Sequence, residues 1–172
     1  MKKILTVAVF FVVVIYFLSP AAYAKRVKKY ILPMGAVQNI LDAKTFRVKG
    51  KGKVVLIGIE IIPQMNNKVL EILNRHLKGR VVDLETDAKE FVRGRRLVYL
   101  YCNISGFSLT GHTKYFYDLF TRKKKLFLNA YLIAQGLARP VDSSPNTRYS
   151  KLFSDLYKEA KRNKVGIWKY SR

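Results

Sequence analysis

The chain has 172 residues, and 33 Lys and Arg against 11 Asp and Glu give it a formal charge of +22. That excess predicts attraction to polyanions (nucleic acid, acidic envelope polymers or anionic lipid) and says nothing about chemistry. A single cysteine, Cys102, excludes an internal disulfide; lying in an apolar stretch, it reads as a buried structural thiol.

The N-terminus begins with Lys2 and Lys3, an apolar run from Ile4 to Leu18, Ser19-Pro20, and then Ala22-Tyr23-Ala24. This is the pattern of a secretory signal peptide cleaved after Ala24. It predicts a bacterial protein that is secreted, periplasmic or held in the cell envelope. An uncleaved membrane anchor is the alternative, although a stable span needs ~20 apolar residues and Pro20 interrupts this one. Removing residues 1–24 from 172 leaves 148, enough for one domain over 25–172. Only Lys2 and Lys3 leave with them, so the charge falls from +22 to +20.

Residues 25–32 read as a basic, extended lead-in. Short strands follow at 36–41, 45–48 and 54–59, rich in β-branched residues and separated by turn signals that include Gly50-Lys51-Gly52-Lys53. Val69, Ile72, Leu73 and Leu77 then recur at helical spacing up to Gly79. His76 borders that apolar face and reads as a core histidine. Strands are expected at 80–85 and 95–102. Residues 103–125 form an atypical aromatic and basic insertion, in which His112 has no partner at metal-ligand spacing. A short helix over 126–135 stops at Gly136, residues 143–146 form a loop, and a final helix over 149–163 carries Leu152, Leu156 and Ala160 on one stripe. Five short strands without a crossover helix between most of them predict an α+β, mainly β fold: a small closed barrel with three helices.

Several of these segments resemble the thermonuclease (staphylococcal nuclease) family, in that family's order. Asp42-Ala43-Lys44-Thr45 is similar to its "D-G-D-T", and Leu56-Ile57-Gly58-Ile59-Glu60 to its "R-L-I-G-I-D-x-P-E". Gly94-Arg95 with Leu97-Val98-Tyr99 resembles "Y-G-R-x-L-A-Y". Leu128-Asn129 through Gln135-Gly136-Leu137-Ala138 resembles "V-N-x-x-L-V-x-x-G-L-A", and Gly166-Ile167-Trp168 its "G-I-W" end. The resemblance implies a five-stranded OB-type barrel with three helices. It also implies descent from calcium-dependent hydrolases of DNA and RNA.

In such enzymes, the resemblance implies, carboxylates hold calcium, a glutamate activates or positions water, and two arginines stabilise charge on phosphorus. Arginine's planar fork suits two phosphate oxygens. Arg95 matches the second arginine. The first falls on Val55, a calcium-ligating aspartate on Lys44, and the glutamate on Pro63. Only Asp42 and Glu60 keep acidic character between residues 25 and 70. A hard cation prefers six to eight oxygen ligands, so no metal is expected, and calcium enters only if a rearranged site built on Arg95, Glu60 and Asp42 is active. Two readings of Lys44 stay open. Its ammonium stands where calcium would be, paired with Asp42 and Glu60, or it extends to solvent.

Basic residues gather at Lys49, Lys51 and Lys53, at Arg93, Arg95 and Arg96, at Arg122, Lys123, Lys124 and Lys125, and at Lys158, Lys161, Arg162 and Lys164. Tyr115, Phe116, Tyr117 and Phe120 precede the third group. That interleaving fits single-stranded nucleic acid, packing on the barrel, or an anionic membrane. The leading expectation is a monomeric, exported barrel that binds DNA, RNA or a similar polyanion, with hydrolysis weak or lost. Its rivals are an active metal-dependent endonuclease or exonuclease and a non-catalytic envelope interaction module.

Overall fold

The computed structural model describes residues 30–103, 107 and 125–170. Residues 1–29, which include the expected signal segment, and nearly all of the 103–125 insertion, with His112, Tyr115, Tyr117, Arg122, Lys123 and Lys124, lie outside the described residues. Among the described residues no helix is long and apolar enough to cross a membrane.

In chain order the elements are β1 (Tyr30–Asp42), β2 (Thr45–Val48), β3 (Gly52–Leu56), β4 (Ile59–Ile61), α1 (Asn66–His76) after a 3-10 turn at Pro63–Met65, β5 (Val81–Thr86), β6 (Phe91–Val92), β7 (Arg95–Asn103), β8 (Lys125–Phe127), α2 (Leu128–Ala134), β9 (Ala138–Pro140) and α3 (Ser150–Arg162), closed by a 3-10 turn at Gly166–Tyr170. β1 is long enough to serve two neighbours: residues 30–36 pair with β5, and residues 37–42 with β2. Register shifts along it supply the bend. β3 follows β2 as a hairpin, β7 pairs with β5, and Val54–Leu56 lies parallel to Arg96–Val98. That parallel seam closes β1, β2, β3, β7 and β5 into a five-stranded barrel, the OB-type α+β fold expected.

Alternation along each strand fills the interior. Phe46, Val48, Val54, Leu56, Val82, Leu84, Val98 and Leu100 are buried there, while Arg47, Lys53 and Arg95 are exposed. α1 buries Val69 and Leu73. α2 is buried on every side, packed between β7 and α3. Gly136 and Gly166 let the ends of α2 and α3 meet, since a Cβ on Gly136 would lie 2.2 Å from the Val165 carbonyl oxygen.

Three sequence readings need correction. The strand over 54–59 is two strands, because Gly58 adopts φ +73° and turns the chain so that β4 leaves the barrel to pair with β9. The helix over 126–135 begins as β8, whose Lys125, Leu126 and Phe127 pair with Asn103, Cys102 and Tyr101. On α3 the buried stripe runs through Phe153, Leu156 and Ala160, with Leu152 only half-buried at its edge. Cys102 is buried as expected, and burial pushes its thiol up to about 12.

Candidate functional site

Three of the residues singled out by motif, Lys44, Val55 and Arg95, meet outside the barrel, against the parallel seam. A cavity of about 450 Å³ there is lined by Lys44, Val55, Gly58, Lys89, Arg93, Arg95, Leu97, Ser143, Ser144 and Asn146, among others. Three chain segments converge to build it, each pinned by hydrogen bonds. The β1–β2 turn is fixed when the Lys44 N–H donates to Asp42 Oδ1 at 2.9 Å and the Leu56 N–H donates to the Lys44 carbonyl at 3.0 Å. The Gly58 N–H donates to Ser143 Oγ at 3.0 Å, and a Cβ at Gly58 would strike the Phe153 ring at 2.8 Å. The buried Asn146 side chain accepts from the Lys89 N–H at 2.6 Å and donates to the Lys89 carbonyl at 2.9 Å, clamping the third segment. At the seam itself, Asn129 donates to the Ile57 carbonyl at 2.9 Å and accepts from the Leu100 N–H at 3.1 Å.

Four cations, Lys44, Lys89, Arg93 and Arg95, line this cavity without a carboxylate beside them among the described lining residues. None of the four has an ion-pair partner among the described residues. The acids are engaged elsewhere. Glu60 faces Arg139 across β4–β9, receiving its Nε and Nη2 at 3.0 and 2.6 Å. Glu90 pairs with Arg96 at 2.8 Å, Asp83 with Lys125, and Glu85 and Asp87 with Arg148. The Asp42 carboxylate meets the backbone of Lys44. The arrangement of Lys44 with both Asp42 and Glu60 is therefore not formed. Calcium needs several convergent oxygens, and no group of three His, Cys, Asp or Glu side chains clusters among the described residues. A cavity walled by ammonium and guanidinium groups does not fit that ion.

The structure separates the other basic candidates. Arg95 and Leu97 face the cavity, and Arg96, on the opposite face of β7, turns to Glu90 and stacks over the Phe91 ring at 4.7 Å. Lys49 and Lys51 sit at the β2–β3 turn, at the far end of that hairpin from Lys44. Lys125 is engaged by Asp83, and its strand partner Asn103 ends β7 about eight residues beyond Arg95, roughly 26 Å at ~3.3 Å per residue. Pro63 opens a 3-10 turn and does not line the cavity. The His76 ring lies 5.3 Å from Phe107.

Sequence reasoning missed Lys89 and the loop residues Ser143, Ser144 and Asn146 as parts of one wall. It also missed the buried network that holds that wall. Glu85 is 1% exposed. It accepts from Tyr101 at 2.9 Å and Tyr149 at 3.1 Å and pairs with Arg148. Asp87 accepts from Tyr99 at 3.0 Å and from the Arg148 N–H at 3.1 Å. Burial first, then the neighbouring carboxylate charge, raises the Tyr99 and Tyr101 phenols well above their ordinary 10.0. They stay protonated and act as donors. The same two stretches of chain, 85–89 and 146–149, thus carry a hydrogen-bonded, ion-paired interior cluster and, a few residues away, part of the cationic cavity.

A closed OB-type barrel with a concave, cation-lined site outside its seam defines the class of protein. The family model described as staphylococcal nuclease homologue matches residues 64–170, and the chain belongs to that family. The match takes in Arg95. Lys44 and Val55 precede it and are tied to the site by sharing Arg95's cavity. No curated protein matches the chain.

Proposed function

We propose that this nuclease-family protein is an exported binder of nucleic acid, or of a similar polyanion, in which phosphodiester hydrolysis is weak or lost and no metal takes part. The observation that carries the reading is the cavity: among the described residues, four cations without an ion-pair partner and no carboxylate in the lining, where a metal-dependent nuclease needs acids. Phosphate oxygens would supply the missing negative charge, with arginine offering two parallel donors to a phosphate and lysine a point charge.

The case for weak hydrolysis is one of magnitudes. A general base contributes ~10²–10⁴ in rate, and the position implied for it is held by Pro63, off the cavity. Val55 supplies no donor where the family's first arginine is implied, and arginines in phosphoryl transfer are worth ~10³–10⁵. These losses do not add, yet a fraction of them leaves little turnover. The test is to mix purified protein with plasmid and single-stranded DNA, in calcium or in chelator, and score retention and cutting together. Retention in chelator without cutting, weakening steeply with salt, is the expected result. Rapid, chelator-sensitive cutting or salt-insensitive binding overturns the reading.

A further inference from the structure

Strand register extends the cavity into a line of cations. Arg47 on β2 is the cross-strand partner of Lys53 on β3. The parallel register begins with Val54 beside Arg96, and Lys53 and Arg95 each precede that pair by one residue along their strands. Side chains two apart on a strand share a face. Val55 and Leu97, two residues further along, line the cavity, whereas Phe46, Val48 and Val54 fill the core. Arg47, Lys53 and Arg95 therefore stand on the outer face of three adjacent strands, and all three are exposed. At ~4.8 Å between strands the row spans roughly 10 Å.

Like charges directly opposite one another destabilise a sheet, and none of the three has an ion-pair partner among the described residues. On the far side of Arg95, Arg93 occupies the hairpin tip at φ +46°, a conformation that costs a non-glycine residue ~1–2 kcal/mol. Gly94 follows at φ +71°, so the pair forms the left-handed two-residue turn that joins β6 to β7, and it places the Arg93 guanidinium at the cavity's edge. No aromatic side chain lines the cavity among the described residues, so its described lining offers no platform on which a base would stack.

We propose that the outer face of β2, β3 and β7 is a phosphate track. One phosphate enters the cavity against Lys44 and Arg95, and those that follow cross the strands over Lys53 and Arg47. The ligand is thus recognised as a chain of phosphates whose bases are not read. This inference rests on the polyanion reading above and adds its path and its indifference to bases.

The experiment is fluorescence anisotropy with a labelled oligothymidylate in chelator, over a range of salt, on the full protein. Arg47→Gln/Lys53→Gln is compared with Lys68→Gln/Lys78→Gln, an equal charge loss on α1 and the turn after it, and thermal melts confirm that each is folded. The track variant should bind at least tenfold more weakly. Its slope of log K against log salt should be shallower by about 1.4, at ~0.7 per contact for a single strand. The α1 variant should retain the wild-type slope, and inorganic polyphosphate should displace the oligonucleotide. Equal losses in the two variants, or failure of polyphosphate to compete, overturn the track while leaving polyanion binding in place. No binding by the wild-type protein overturns both.

Discussion

Two regions a few residues apart along the chain handle charge in opposite ways. Around Glu85 each carboxylate has partners: Arg148 pairs with both Glu85 and Asp87, and three tyrosine hydroxyls donate to them. Lys44, Lys89, Arg93 and Arg95 have no ion-pair partner among the described residues. Burial explains the difference. A carboxylate that is 1% exposed cannot persist without partners, whereas cations open to water cost little and remain available. The first arrangement is built for the fold and the second for something that arrives from outside.

The contrast can be broken from either side. Removing Glu85 should have the largest effect. Glu85→Ala breaks the buried pair with Arg148 and removes the carboxylate that accepts from Tyr101 and Tyr149, and should cost about 3–5 kcal/mol of stability, measured by urea unfolding. Gly58→Ala should cost less, about 1–3 kcal/mol, because φ +73° and the Phe153 ring both oppose a Cβ; a near-wild-type unfolding midpoint would show that the turn relaxes freely. Alkali should weaken the interior. Cys102, Tyr99, Tyr101 and Tyr149 all hold their protons more tightly folded than unfolded. Their contribution is complete below the free values of 9.0 and 10.0 and is lost as pH climbs towards the folded ones, about 12 for Cys102. Thermal melts should therefore fall progressively above about pH 9, and a flat profile from pH 8 to 11 would contradict the burial of these groups. Smallest of all in stability, Lys44→Ala and Arg95→Ala should each change unfolding by no more than about 0.5 kcal/mol. Each should nevertheless lower the salt slope of DNA binding by ~0.7. A large stability loss in either would place it in the structural region instead.

Helices were legible because their signal is local. Val69, Ile72, Leu73 and Leu77 announce α1 by spacing alone. The 54–59 segment misled because Val54, Val55, Leu56, Ile57 and Ile59 form one apolar run, and the break at Gly58 is a backbone angle made useful only by a distant partner, β9. Arg95, Lys44 and Val55 were readable through motif resemblance, and the structure brings all three to one cavity. Lys89 was not, since it reaches that cavity through the side-chain clamp of Asn146, 57 residues away. Lys49, Lys51 and Lys53 were grouped by proximity. The period of two along a strand separates Lys53 from the turn and aligns it with Arg47 and Arg95, a signal present in the sequence and left unused.

The parallel contact between Val54–Leu56 and Arg96–Val98 joins stretches of chain some 42 residues apart in sequence, and the cavity straddles it. Until those strands meet, Val55 and Arg95 share no surface, so the cavity belongs to the folded ensemble alone. Mass action then makes any occupant a stabiliser of the closed barrel, by about 2.7 kcal/mol when it is present at a hundred times its dissociation constant. Such a molecule would act as a clasp: melting temperature would rise with its concentration, and the barrel would resist proteases better where polyanion is abundant than where it is scarce.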